Sequence, residues 1–134
     1  MESIELHVHT GERVVTDLTA HVAGFCAGRG DGLANVFAPH ATAGLALIET
    51  GAGSDADLVD TLGHLLPRDE GRYRHRHGSP GHSADHVLPA LVSPTLTVPV
   101  LDGRPALGVW QSIVLVDTNG DNPERTVRLS FLGG

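Results

Sequence analysis

The last third of the chain constrains the fold most. Over residues 125–132, Val127, Leu129 and Phe131 alternate with Thr126, Arg128 and Ser130, a period of two that buries one face of a strand and leaves the other wet. Two runs rich in β-branched residues precede it, TLTVPV (95–100) and LGVWQSIVLV (107–116), with Asp102-Gly103 as a turn after the first. Nearer the start, Ile4, Leu6 and Val8 alternate with Glu5, His7 and His9, and LANVFA (33–38) and GLALIE (44–49) read as strands on either side of PHATA. Helical spacing is confined to the middle. Leu18, Val22, Phe25 and Cys26 predict a helix over 16–27 that Gly28 and Gly30 stop. Leu58, Leu62, Leu65 and Leu66 predict a second over 54–66, with Ser54 as its N-cap and Pro67 as its end. A short third helix over 83–92 is bent or shortened by Pro89, and the polar, Gly-rich residues 68–82 form a loop. Strands, then two or three helices, then strands again imply an α+β domain with largely antiparallel pairing, spanning residues 1–134 without a linker. Aromatics are only 4% of the chain, so Leu, Val and Ala must supply the core.

Charge removes several function classes. Nine cationic residues, all Arg, face 16 carboxylates for a net charge of −7, a poor match for a nucleic-acid backbone or an anionic membrane. Without Lys, Schiff-base chemistry and a P-loop lysine are excluded. Cys26 stands alone, which excludes an internal disulfide and a thiolate zinc cluster. No apolar stretch resembles a signal peptide or a membrane span, so a cytoplasmic protein is expected.

What remains is histidine. The chain has nine, four of them between His75 and His86. Imidazole both binds first-row metals and moves protons near neutral pH. His40 follows a strand at the start of a loop, His75 and His77 lie in the polar loop, and His82 and His86 flank a predicted helix start. Ligands converging from separate elements are what an open metal site requires. His7, His9, His21 and His64 read as surface residues of amphipathic elements. Glu49 is either a solvated strand end or a pocket acid, and Asp57 caps its helix before it does anything else. Asp85 could orient an imidazole or place an anion in a helix's first turn. Trp110 reads as a core anchor before a pocket wall, and Gln111 points to the opposite face. The G-x-S-x-G, H-E-x-x-H, G-x-x-x-x-G-K-[ST] and G-x-G-x-x-G patterns are absent.

The segments VFAPHATAGLALIE, RYRH and HSADHVLPALVSPTLTVPVLDGRPALGVWQSIVLVD together resemble the YjbQ (UPF0047) family, closely over about 33–117 and loosely over the whole chain. The resemblance implies a compact, mostly antiparallel α+β sandwich that assembles as a homotrimer. It implies a divalent metal, zinc first, held by His40, His75 and His86. It places family acids on Glu49 and Asp57 and the Trp-Gln pair on Trp110 and Gln111. The expected catalytic groups are then Glu49 as acid/base and Gln111 as donor, with Thr42, His82 and Trp110 touching a small, phosphorylated substrate. Some members are named secondary thiamine-phosphate synthase, which implies that transferase activity here, against a non-catalytic metal- or small-molecule-binding trimer as the alternative. The sequence departs from the family pattern at Ala41 (Thr or Ser), His82 (Asn or Asp), Ser93 (Gly), Val109 (Thr) and Asp117 (often Glu). His82 is therefore open between a fourth metal ligand and a substrate contact.

Overall fold

The computed structural model describes residues 1–75 and 78–134. In chain order the elements are β1 (Glu2–His9), β2 (Val15–Asp17), α1 (Thr19–Cys26), β3 (Gly32–Phe37), β4 (Ala43–Ile48), α2 (Ser54–Leu65), α3 (His82–Asp85), α4 (Leu88–Leu91), β5 (Thr95–Leu101), β6 (Arg104–Pro105), β7 (Ser112–Asp117) and β8 (Glu124–Gly133), with one 3-10 turn at Glu70–Arg72. The strands form a larger sheet in the order β1-β8-β3-β5-β6 and a smaller one in the order β2-β7-β4, and every pairing is antiparallel. The α+β class read from the sequence is the class observed.

Alternation in the larger sheet decides what it faces. Val127, Leu129 and Phe131 of β8, Ala34 and Val36 of β3, and Val98 and Val100 of β5 point inward, where Leu45, Ile113 and Leu115 of the smaller sheet and Val22, Phe25 and Cys26 of α1 meet them. The smaller sheet is covered on its other face as well: Val114 and Val116 pack against Leu62 of α2 and Leu88 of α4. That double burial explains the unbroken apolar run Ile113-Val114-Leu115-Val116, which a sheet wetted on one side would not show. Gly44 allows the closest approach in this layer. A Cβ there would lie 2.0 Å from the Val92 carbonyl oxygen, and the neighbouring Leu45 N–H donates to Ser93 O at 2.7 Å.

Several boundaries differ from expectation. The helix expected from residue 16 begins at Thr19, because 15–17 pair with β7 as β2 and the Asp17 carboxylate accepts the Thr19 N–H at 2.8 Å. Three residues are too few to show a period, which hid β2 in the sequence. Ser54 is the first helical residue of α2 and its side chain makes no cap bond; Gly53, in the left-handed region, stands at the N-cap. The third helix is two pieces, α3 and α4, with Pro89 in the opening turn of α4. The strand expected over 107–116 starts only at Ser112. Before it, Gly108 N donates to Gln111 Oε1 at 2.8 Å and Gln111 N to Gly108 O at 3.0 Å, closing a turn. Trp110 on that turn is 72% exposed, so it is not a core anchor.

Candidate metal centre

Residues 79–86 build most of the site. Gly81, at φ 84, turns the chain into α3 in a conformation that favours glycine, and its N–H donates to Glu70 Oε1 at 2.8 Å. Within α3 and its cap, His82 and His86 are one helical turn apart and so share a face. Their Nε2 atoms lie 2.8 Å from each other. His75 comes from the loop before α3. Its carbonyl accepts the Ser83 hydroxyl at 2.5 Å, and the loop's start is pinned where Tyr73 OH donates to Pro67 O at 2.7 Å. The His75 ring stands 4.2 Å from that of His86 and 5.6 Å from that of His82, centroid to centroid. One ligand atom from each of the three histidines lies within 4.8 Å of the others.

That set fits a transition metal. All three donors are imidazoles, the ligand type shared by zinc, copper, iron and nickel sites. Two nitrogens on a tetrahedral zinc, each about 2.0–2.1 Å from it, would sit about 3.3–3.4 Å apart. The His82–His86 separation thus needs only a small outward ring adjustment. His82 is buried, and His75 and His86 are half-buried.

Carboxylates flank the cluster in two different ways. Asp121 Oδ2 faces His82 Nδ1 at 3.3 Å, while Oδ1 accepts the Ser79 hydroxyl at 2.6 Å. The Ser79 hydroxyl and N–H hold the Asp121 carboxyl below its ordinary value, helped by His82 and Arg68 and opposed by partial desolvation. Asp85, expected either to orient an imidazole or to sit in a helix's first turn, does lie in the first turn of α3 but is fully buried. It receives both Arg68 nitrogens, at 2.7 and 3.0 Å, and the Thr118 hydroxyl at 2.6 Å. The charge-assisted bond to Asp85 raises the Arg68 guanidinium's pKa.

The match to known proteins follows the same boundaries as this fold. The family model described as "UPF0047 protein YjbQ-like" matches residues 3–134. The chain belongs to that family. It is 65% identical over 134 residues to the UPF0047 protein Rv2556c of Mycobacterium tuberculosis, covering 100% of each chain. It is 32% identical over 126 residues to a UPF0047 protein of Archaeoglobus fulgidus, with 92% of this chain and 97% of the other covered. Among solved structures, a hypothetical protein of Aeropyrum pernix superposes with a TM-score of 0.89 at 31% identity, covering 100% of both chains. A conserved hypothetical protein of Thermus thermophilus gives 0.85 at 31% identity over 96% of this chain and 99% of its own.

Within this UPF0047 chain the expected site residues divide. His75 and His86 converge as the resemblance implied, but with His82, not His40, as the third member. His40 Nε2 lies 3.1 Å from Thr126 N and 3.0 Å from Thr126 O on β8, outside the histidine group. Burial holds the His40 pKa below its ordinary value, and Arg125 adds to this, while the Thr126 carbonyl and Asp117 act against it. Thr42, read as a substrate contact, is buried, and its hydroxyl accepts from Arg125 at 2.8 Å and Asn119 at 3.3 Å. Arg125 also forms a buried pair with Asp117, at 2.6 and 3.1 Å, so Thr42 belongs to a structural polar network.

Glu49, Gln111 and Trp110 stand at the wrong end for a single-chain site. The β4–β7 pairing runs from Ala43↔Asp117 to Ile48↔Ser112. The histidines attach to the Asp117 end, through the Thr118–Asp85 bond and the His82–Asp121 contact. Glu49 and Gln111 lie beside the Thr50–Ser112 bond at the other end, about 17 Å away for five residues of strand. The length of the β4–β7 pair thus lies between both residues and the end to which the histidines attach. Asp57 is exposed in the first turn of α2, and His7, His9, His21 and His64 are exposed as expected. Arg76 and His77 lie outside the described residues. The sequence reading missed Asp121 and Ser79. The His82/His86 spacing signals their shared face, but nothing local could pair His82 with a carboxylate 39 residues further on.

Proposed function

We propose that this UPF0047 chain is a metal-dependent enzyme whose divalent metal, zinc first, is held by His75, His82 and His86. The convergence of three imidazole ligand atoms within 4.8 Å carries this reading. Three protein ligands, in some enzymes all histidine, are the usual count of catalytic zinc sites, which keep a further position for water or substrate. A bound metal supplies Lewis-acid polarisation of a substrate oxygen. The chain's own residues do the remainder. Arg72 and Arg74, exposed on the loop leading into His75, supply positive charge for an anionic, phosphorylated small molecule. Arg68 and Arg125 cannot do so, because each is matched to a buried carboxylate.

A thiamine-phosphate synthase reaction asks for strong pyrophosphate neutralisation. Arg72 and Arg74 are the support for it here, and complementation of a thiamine auxotroph is its direct test. Glu49 and Gln111 serve this site only from a second subunit, which accords with the homotrimer implied by the resemblance. The non-catalytic reading predicts instead a closed site with no exchangeable position.

Metal analysis tests the assignment. Wild-type protein is expected to take up one zinc per chain, His86→Ala to lose most of that load, and His40→Ala to keep it. Equal loading of wild type and His86→Ala would remove the site. Loss in His40→Ala with retention in His82→Ala would restore His40 as the third ligand.

A further inference from the structure

We propose that Asp121 is the positioning residue of the histidine site, selecting the His82 tautomer that presents its Nε2 lone pair to the metal. The inference rests on the metal reading above and concerns the same cluster. The two nitrogens of His82 look in opposite directions. Nδ1 lies 3.3 Å from Asp121 Oδ2, close enough for the carboxylate charge to act on the ring although the pair does not have hydrogen-bond geometry, and Nε2 lies 2.8 Å from His86 Nε2. A carboxylate stabilises an N–H and repels a lone pair, so the ring proton belongs on Nδ1. Nε2 then carries the lone pair, and the adjacent negative charge makes it a stronger donor.

Asp121 is held well enough to perform this. Its carboxylate accepts the Ser79 hydroxyl at 2.6 Å and the Ser79 N–H at 3.4 Å. Its own N–H donates to Asn119 Oδ1 at 3.0 Å. Asn119 in turn donates its N–H to Asp117 Oδ1 at 2.9 Å, and Asp117 is clamped by Arg125. The buried Asp117–Arg125 pair thus acts as the fixed base of a loop whose tip aims one carboxylate at one imidazole. Ser79 ties that tip to the segment carrying the histidines, so two parts of the chain distant in sequence keep their relative placement.

Two measurements test the proposal, one without metal. Long-range ¹H–¹⁵N NMR on the metal-free protein is expected to find His82 as the Nδ1–H tautomer. In Asp121→Ala the population should move toward Nε2–H, the common form of an unconstrained imidazole. Cobalt(II) titration, followed by the visible d–d bands, should then show about 10- to 100-fold weaker binding in Asp121→Asn and Asp121→Ala, and partial recovery in Asp121→Glu. Near-wild-type thermal stability of the metal-free variants would separate this effect from misfolding. A wild-type His82 in the Nε2–H form, or unchanged cobalt affinity in Asp121→Asn, would overturn the role. Wild-type protein that binds no cobalt would instead overturn the metal reading, with the tautomer measurement still deciding how Asp121 acts on the ring.

Discussion

At the scale of single residues, burial sets the chemistry of groups the sequence shows only as letters. His40 illustrates this: desolvation, with Arg125 nearby, favours its neutral form in the folded chain. In the unfolded chain it takes up a proton near the ordinary value of about 6.5. The unfolded state therefore binds more protons below that pH, and the His40 contribution to stability falls as pH falls. Denaturant unfolding at pH 7.5 and 5.5 should show wild type losing more stability on acidification than His40→Gln. Equal losses would mean that the folded chain does not hold His40 neutral. Cys26 follows the same physics, its thiol pushed up by burial against the opposing influence of Arg29, and it behaves as a small core residue.

At the scale of elements, close backbone approach decides what can be exchanged. β4 meets the segment leaving α4 through Gly44, where the Val92 carbonyl leaves no room for a side chain. Gly44→Ala should therefore cost about 1–3 kcal/mol or more, because β4 is held by its ladder to β7 and the 92–93 segment by the bond from Leu45 N–H to Ser93 O. Chemical denaturation measures it, and a change below about 0.5 kcal/mol, the usual range for surface substitutions, would show that the two segments separate easily. α3 shows what a short element can do. Four residues are too few for stability alone, yet Gly81, Ser83 and the Asp85–Arg68 pair fix α3 firmly enough to align two imidazoles.

At the scale of the whole molecule, α2 and α4 cover one face of the smaller sheet, α1 packs into the core between the sheets, and the outer face of the larger sheet is left open. Leu33, Phe37, Leu101 and Leu132 are exposed there, and Leu33 and Leu132 help line a groove of about 210 Å³. Asn35, Thr97 and Ser130 share this face, and the homotrimer of our proposal would cover its apolar residues. Analytical ultracentrifugation should give about 42 kDa for wild type, three times the 14.0 kDa chain. Leu132→Asp, which places a charge on that face without touching the core, should shift the mass toward the monomer while circular dichroism stays unchanged. A monomeric wild type would remove the trimer, and with it any route for Glu49 and Gln111 to the histidines.

The sequence by itself determined the class, the antiparallel strands and most of their positions. Those follow from local periodicity, which Val127-Arg128-Leu129 and the Leu58/Leu62/Leu65 stripe display within a few residues. It also marked His82 and His86 as neighbours, since one helical turn is a local distance. Tertiary structure alone decided the third member of the histidine cluster, the partner of Asp85, the exposure of Trp110 and the end of the β4–β7 pair at which Glu49 lies. Each depends on which distant segments a strand register brings together, and an antiparallel pairing displaces two residues by about 3.3 Å for every position along the strand.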